Sequence, residues 1–257
     1  DSVECPQASA IALQRECRPA AHCGPIVPGI IIPPVTALPG NPRIAIVHDW
    51  LVKPGGGELV LRDLLKVYPG ADVHVLVDRL SPADREAFGI PPAHPDGRDA
   101  SAPRTHHSFL QYVPGIRDHY RSYLPLMPLA VRSLDVSAYD IVISNSHAVA
   151  KGVRTRPGQL RVDYCLSPMR YAWDLRDQYL LEAGLDRGLK GFAARVLLER
   201  MRKWDLARSR DVDAFVALSH FIAERIARAY GRTAEVVYPP VDTDYFTPEA
   251  AAPAAAT

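Results

Sequence analysis

No stretch of about 18 consecutive apolar residues occurs in the 257-residue chain, so nothing in it reads as a membrane span. Charge of one sign is also lacking. With 30 Lys and Arg against 29 Asp and Glu the formal net charge is +1, which gives no reason to expect a nucleic-acid partner. Four cysteines, at 5, 17, 23 and 165, are too few for a disulfide framework in a chain this long. No C-x-x-C or other metal-ligand spacing accompanies them, so no metal is expected and a reducing, cytoplasmic setting is the simpler reading. The G-x-G-x-x-G dinucleotide fingerprint, the P-loop, G-x-S-x-G and the kinase motif set are all missing. The chain begins with Asp1 and has no basic stretch leading into an uninterrupted apolar core, so no signal peptide is read there and both ends look cut. Proline, by contrast, is abundant: 24 residues, nearly twice the usual share.

Proline marks the poorly patterned segments. In "GPIVPGIIIPPVTALPG" five prolines cut the most apolar part of the tail and exclude a continuous helix. Residues 1–42 lack a sustained period and are expected to be disordered or loosely attached. Pattern begins at "RIAIVHDW". Arg43 to Val47 form a short apolar run without alternation, as in a parallel strand covered on both faces. A loop, "HDWLVKPGGGE", leads into a helix, "LVLRDLLKVYPG", closed by Pro69-Gly70. "ADVHVLVD" is the next strand. Residues 80–105 make an excursion with one short helix near Pro82–Ala87, and "IRDHYRSYLPLMPLAVRSL" is helical with interruptions at Pro125 and Pro128. Strands follow at "YDIVISNS", "QLRVDYCLS", "DAFVALS" and "AEVVYPPVD". Helices are expected over 171–183 and 187–211, and over "HFIAERIARAYG" with Ser219 as N-cap and Gly231 just past its end. Alternating apolar strands and helices mean βαβ units. The expected fold is α/β, a Rossmann-like three-layer parallel sheet over 43–240. Residues 241–257, ending in "EAAAPAAAT", read as an interdomain linker or a truncated tail.

Four places offer chemistry. Gly55, Gly56 and Gly57, with Glu58, follow the first strand and open the first helix, where backbone N–H groups and the helix dipole favour an anion and missing side chains permit close approach; a ligand-free turn is the alternative. His48 and Asp49 end that strand. They have the chemistry of an acid–base pair, but adjacent residues of a strand point oppositely, so at most one faces a cleft. In "RVDYCLSPMRYAWDL", Val162, Tyr164 and Leu166 alternate with Arg161, Asp163 and Cys165, and Ser-Pro then breaks the ladder. Ser167, Arg170 and Tyr171 there form either the lip of a binding cleft or a core turn, with Arg170 paired to Asp174 or Asp177; Trp173 is assigned to the core. Finally, "GFAARVLLERMRKWDLARSRD" sets Phe192, Val196, Leu197, Met201 and Trp204 on one stripe, with Arg195, Arg200, Arg202, Lys203, Arg208 and Arg210 around much of the remainder. Such a helix packs on a sheet or rests on an anionic membrane. Cys165 reads as a small buried hydrophobe, and His106-His107 as a surface-loop pair.

Taken together, the stretches "RIAIVHDWLVKPGGGE", "YDIVISNSHAVAKGV", "YCLSPMRYAWDL", "DAFVALSHFIAERIARAYGR" and "AEVVYPPVDTDYF" resemble the N-terminal domain of family 4 glycosyltransferases, enzymes of the two-Rossmann-domain GT-B architecture. "SPMRYAWD" is similar to the bacterial mannosyltransferase-like branch that assembles surface polysaccharide. The resemblance implies retaining transfer of a sugar from a nucleotide-sugar, with GDP-mannose as the donor of that branch, to a glycan or lipid-linked acceptor, without a cofactor or metal. The expected setting stays cytoplasmic, peripheral to the inner face of the plasma membrane where the basic helix rests on lipid. The N-terminal half holds the acceptor, with Gly55 to Gly57 near the donor and Ser167, Arg170 and Tyr171 on the acceptor side. Leu166 stands where the family often has His, and the nucleotide-binding second domain does not follow within the sequence. The chain is thus expected to be one half of a GT-B fold, inactive alone; the other reading is a non-catalytic glycan- or partner-binding module. An uncovered half-interface around Trp50, Leu51, Tyr171 and Trp173 would favour self-association or pairing with a donor-binding domain.

Overall fold

The computed structural model describes residues 26–27, 30–31, 40, 42–53, 55–92 and 102–241. Two compact units divide the chain at Gly40. In the first, β1 (Ile26–Val27) pairs antiparallel with β2 (Ile30–Ile31). Most of the tail expected over 1–42, Cys5, Cys17 and Cys23 included, lies outside the described residues, as does all of 241–257 past Val241.

The second unit is one parallel sheet of seven strands in the order β5-β4-β3-β6-β7-β8-β9. The strands are β3 (Ile44–Leu51), β4 (Asp72–Asp78), β5 (Thr105–His107), β6 (Ile141–Ser146), β7 (Leu160–Cys165), β8 (Ala214–Ala217) and β9 (Glu235–Val236). The helices are α1 (Gly56–Val67), α2 (Pro82–Ala87), α3 (Ile116–His119), α4 (Met127–Arg132), α5 (Arg176–Glu182), α6 (Gly188–Ser209) and α7 (His220–Tyr230). From β3 the chain builds outward to β4 and β5, then returns to place β6 on the other side of β3. The carboxyl ends of β3 and β6 therefore flank the point where strand order reverses, which is where open α/β sheets form a crevice.

Local chemistry sets the helix ends. Ser219 accepts a hydrogen bond from the Ile222 N–H at 3.3 Å, and Gly231 closes α7 at φ +65°, a conformation that favours glycine. Ser81 caps α2 through the Asp84 N–H at 3.1 Å, with Pro82 in its first turn. As expected from Pro125 and Pro128, the 116–132 segment breaks into α3, a 3-10 turn over Tyr120–Leu126 and α4.

Several expectations need correction. The loop after the first strand is shorter than its polar residues suggest, because β3 continues through Leu51. The strand at Arg161–Leu166 is interior, with β7 between β6 and β8; Cys165 is buried as expected, and Asp163 is fully buried with it beside Val162 and Tyr164. Helix over 171–183 is confined to α5, after a turn. His106 and His107 belong to the edge strand β5. His106 stacks on His74 at 4.5 Å between ring centroids, and His107 Nε2 lies 3.3 Å from Asp78 Oδ2.

The largest correction concerns α6. Its buried positions are Gly191, Leu198, Met201, Asp205 and Ser209, whereas Phe192 is 64% exposed. Of the expected stripe, Met201 is buried and Leu197 and Trp204 pack against the core, while Phe192 and Val196 stay exposed; Asp205 also points inward, where its Oδ1 meets Lys151 Nζ at 2.6 Å. The Trp173 indole N–H and the Tyr230 hydroxyl each donate to Asp205 Oδ2 at 2.8 Å. Lys151 is itself fully buried and also donates to the Ala148 carbonyl at 3.3 Å. Around this polar centre the apolar core joins β3 and β6 to α4 and α6, with Ala45, Val47, Met127, Val131, Val142, Met169 and Met201 among its members. The expected uncovered patch is largely closed: Leu51 is buried, and Trp50 packs on Tyr120 and edge-on against His147.

Candidate functional site

At the end of β3, successive side chains turn to opposite faces of the sheet, as the pleat requires. Asp49 is completely buried. Its Oδ2 accepts from the backbone N–H groups of His147 (2.8 Å) and Ala148 (2.9 Å), and its Oδ1 from those of Val149 and Ala150 (both 2.7 Å). These four donors belong to the turn after β6 and its short 3-10 segment, Ala150–Gly152. Burial alone would raise the Asp49 carboxyl; the His147 ring beside it, together with the hydrogen bonds, outweighs burial and holds it well below the usual carboxylate range. His147 Nδ1 lies 3.1 Å from Asp49 Oδ2, and the His147 side chain stays 23% exposed. Asp49 is therefore an ionised anchor rather than an acid, and it faces His147 across the strand-order reversal.

His48 points to the other face, beneath α1. Its Nδ1 is 3.1 Å from the Asn145 carbonyl, and the Asn145 side-chain Nδ2 donates to the Gly57 carbonyl at 3.0 Å. The Asn145 Nδ2 also lies 3.2 Å from His48 Nδ1, so Nδ1 either donates to the Asn145 carbonyl or accepts from its amide, according to the tautomer; Nε2 has no hydrogen-bond partner among the described residues. Burial pushes His48 down to about 4, against the raising effect of Asp49. The Asn145 Oδ1, Ser146 Oγ and Tyr171 hydroxyl are likewise buried without partners.

The three glycines differ in what they do. A Cβ on Gly57 would come within 3.1 Å of Leu166 Cδ1 and 3.4 Å of His48 Cε1, so the close approach of α1 to the ends of β3 and β7 calls for a residue without one. A Cβ on Gly55, the residue before α1, would meet Glu58 Oε2 at 3.0 Å; the Glu58 carboxylate folds back over the helix start, and burial raises its pKa. A Cβ on Gly56 would meet nothing within 4 Å. Nothing in the fold requires glycine there, so Gly56 exposes backbone to open space at the helix N-terminus.

The turn after β7 carries the other residues singled out from sequence. Ser167 is buried, and its hydroxyl donates to the adjacent Pro168 carbonyl at 2.7 Å. Arg170 is exposed, and the carboxylates considered for it pair elsewhere, Asp174 with Arg225 and Asp177 with Arg176. Trp173 is in the core, bonded to Asp205. Of the residues singled out from sequence, His48 and Gly57 meet beneath α1, Asp49 turns to the other face beside His147, and Arg170 is on the surface. Asn145 and His147 were missed. Their signal was the polar run Ser144 to His147 interrupting an apolar strand, but only the pairing of β3 with β6 makes them neighbours of Asp49. Among the described residues, no group of three or more His, Cys, Asp or Glu is placed to hold a metal ion, and no helix is long and apolar enough to cross a membrane.

Two measurements test this geometry. Asp49→Asn places an amide N–H₂ against two of the four buried N–H donors and should cost about 3 kcal/mol, read as a lower urea midpoint at pH 7; an unchanged midpoint would refute the anchoring role. For His48, the unfolded chain protonates below about 6.5 while the folded chain resists until about 4, so the unfolded state binds more protons between those values. Folding stability should thus fall as pH drops through that window, with a share of about 3 kcal/mol from His48. His74, lowered by burial to about 3, acts in the same direction. His48→Gln should flatten the pH dependence in urea titrations between pH 7 and 4, and an unaltered slope would remove the assignment.

A family model described as Glycosyltransferase Family 4 matches residues 54–245. No curated protein matches the chain. Among solved structures, Anabaena Alr3699/HepE in complex with UDP and glucose is similar at 18% identity and a TM-score of 0.39, over 79% of this chain and 46% of that one. Its complex with UDP-glucose gives 18% and 0.37, over 78% and 45%. A ugt transferase from Siraitia grosvenorii in complex with UDP gives 16% and 0.33, over 76% and 50%. The chain spans half or less of the length of each of these structures.

Proposed function

The chain belongs to glycosyltransferase family 4, and from that premise we propose that it is the acceptor-binding half of a retaining, nucleotide-sugar-dependent GT-B transferase. The transferred sugar is a hexose, with mannose from GDP-mannose as the first candidate, and the acceptor is a glycan or lipid-linked saccharide of surface polysaccharide or glycolipid assembly. The observation that carries this reading is Gly56, a glycine with no packing role at the mouth of the strand-order reversal, where its N–H and the dipole of α1 favour a phosphate. Beside the helix start, the unpaired Nε2 of His48 and Oδ1 of Asn145 offer hydrogen-bonding atoms for hydroxyl groups. In this reading Asp49 holds the turn that carries His147, and His147, Arg170 and Tyr171 face the acceptor. A second domain supplies most of the nucleotide contacts. Charge stabilisation in such a transfer needs a closed cleft, so this half alone should turn over little.

A non-catalytic glycan- or partner-binding module is the second reading. Leu166, apolar and pressed against the Gly57 position, favours it by offering no hydrogen bond beside the helix start. The two are separated by assaying hexose transfer from GDP-mannose and UDP-glucose, with the chain alone and with a family 4 donor-binding domain joined to it. Transfer should require the joined form, and Gly56→Val should lower it at least 100-fold while leaving the urea midpoint nearly unchanged. Brisk transfer by the chain alone would overturn the half-enzyme assignment. Full transfer by the valine variant would remove the role of the glycine, and partner capture without any transfer would leave the binding module.

The exposed Leu189 and Phe192 of α6, with Lys190 and Arg195 beside them, support a peripheral site on an anionic membrane. Sedimentation with phosphatidylglycerol vesicles should be weakened by Phe192→Glu; binding that ignores this change would place any membrane contact elsewhere.

A further inference from the structure

At the amino ends of β7 and β8, opposite the Asp49 crevice, lies a cavity of about 470 Å³. Five of its lining side chains are arginines: Arg132, Arg154, Arg156, Arg161 and Arg208. Only two carboxylates, Asp211 and Asp213, line it with them. Like charges repel, so five guanidiniums around one concavity carry a cost that the two carboxylates only partly offset.

The arginines fall into two sets. Three are fastened to the fold. Arg156 donates through Nε to the Ser137 carbonyl at 2.7 Å, and Arg161 through one terminal nitrogen to the Lys151 carbonyl at 2.9 Å and the Val153 carbonyl at 3.3 Å. Arg208 pairs with Asp211 at 2.7 Å, leaving the Arg161 contact to the same carboxylate long, at 3.9 Å. These three form a wall fixed to the fold, Arg156 also reaching the Tyr139 carbonyl at 3.5 Å and the Asp140 carboxylate at 3.8 Å. Arg132 and Arg154 are exposed and make no hydrogen bond or ion pair with any described residue. No contact within the described fold accounts for their being arginine, yet both border the cavity.

We propose that this cavity is a binding site for a phosphate-bearing anion, held between the fixed wall of Arg156, Arg161 and Arg208 and the two free guanidiniums of Arg132 and Arg154. Guanidinium is the side chain whose planar fork matches phosphate oxygens in pairs. The size suits a group larger than a single phosphate, such as a diphosphate or a phospholipid headgroup. The lining contains no aromatic side chain, so it offers nothing on which a nucleobase would stack. The site is independent of the crevice and does not rest on the transferase reading.

Calorimetry on the full chain with inorganic pyrophosphate, and sedimentation with phosphatidic acid vesicles against neutral phosphatidylcholine vesicles, test the site and separate its two sources. The probe variant is Arg132→Glu with Arg154→Glu, neither of which removes an internal contact. A control is Lys203→Glu, an exposed reversal elsewhere on α6. We expect pyrophosphate binding that weakens with added salt, and a loss of at least tenfold in the double variant but not in the control. Loss in the vesicle arm alone would identify a lipid headgroup as the source, and loss in the pyrophosphate arm alone a soluble phosphate. Absence of binding in both arms, or equal binding by wild type, double variant and control, overturns the proposal. An unchanged urea midpoint of the double variant excludes unfolding as the cause of a loss.

Discussion

The buried carboxylate of Asp49 is the interaction on which the rest of the site depends. A charge with no solvent contact persists only if its lone pairs are met, and here four consecutive backbone N–H groups meet them. Those groups could not otherwise be satisfied by the sheet, since they lie in the turn beyond β6. One side chain thus joins the ends of two central strands and determines where residues 147–150 go. His147 is held at the crevice as a consequence, and Lys151, the next residue, is directed inward.

Lys151 carries the constraint into the helical layer. A buried ammonium needs a partner, and Asp205 of α6 provides it, with Trp173 and Tyr230 completing the hydrogen bonds of that carboxylate. Burial alone would lower the Lys151 pKa; Asp205 and Asp163 outweigh it and hold the ammonium charged. Asp163, on the neighbouring strand, is raised by burial to about 7 and bonded to the Ser144 hydroxyl at 2.5 Å. Such a pair contributes less to net stability than its charges suggest, but breaking it leaves one charge stranded. The pair ties α6 to the turn after β6, and Trp173 of the turn after β7 joins the same carboxylate.

On the opposite face the same strand end meets α1. His48, Leu166 and the missing side chain of Gly57 let the helix start approach the sheet closely, while Gly56 remains uncovered. The carboxyl end of β3 therefore combines a charge-anchored turn on one face with exposed helix-start backbone on the other. The arginine cavity lies at the other ends of the strands, so the two places differ in chemistry: a buried carboxylate and exposed helix-start backbone at one, concentrated positive charge at the other.

Much of the fold was legible because it rests on local rules. Apolar runs without alternation announced strands covered on both faces, Ser219 and Gly231 announced the ends of α7, and the prolines at 125 and 128 announced the broken helix. The family was legible for the same reason, since its motifs sit at strand ends in fixed order. The site was legible only in part. Gly55 to Gly57, His48 and Asp49 stood out, but not that Asp49 would meet N–H groups about a hundred residues away, nor that Gly57 is needed for packing and Gly56 is not. Asn145 and His147 went unnoticed, and the turn after β7 proved to bury Ser167 and expose Arg170. Hydrophobic period and capping depend on neighbours within a few residues and can be read along the chain. Which strands pair, which buried charges meet and which face a helix turns inward depend on contacts between distant segments, and those the tertiary structure alone decides.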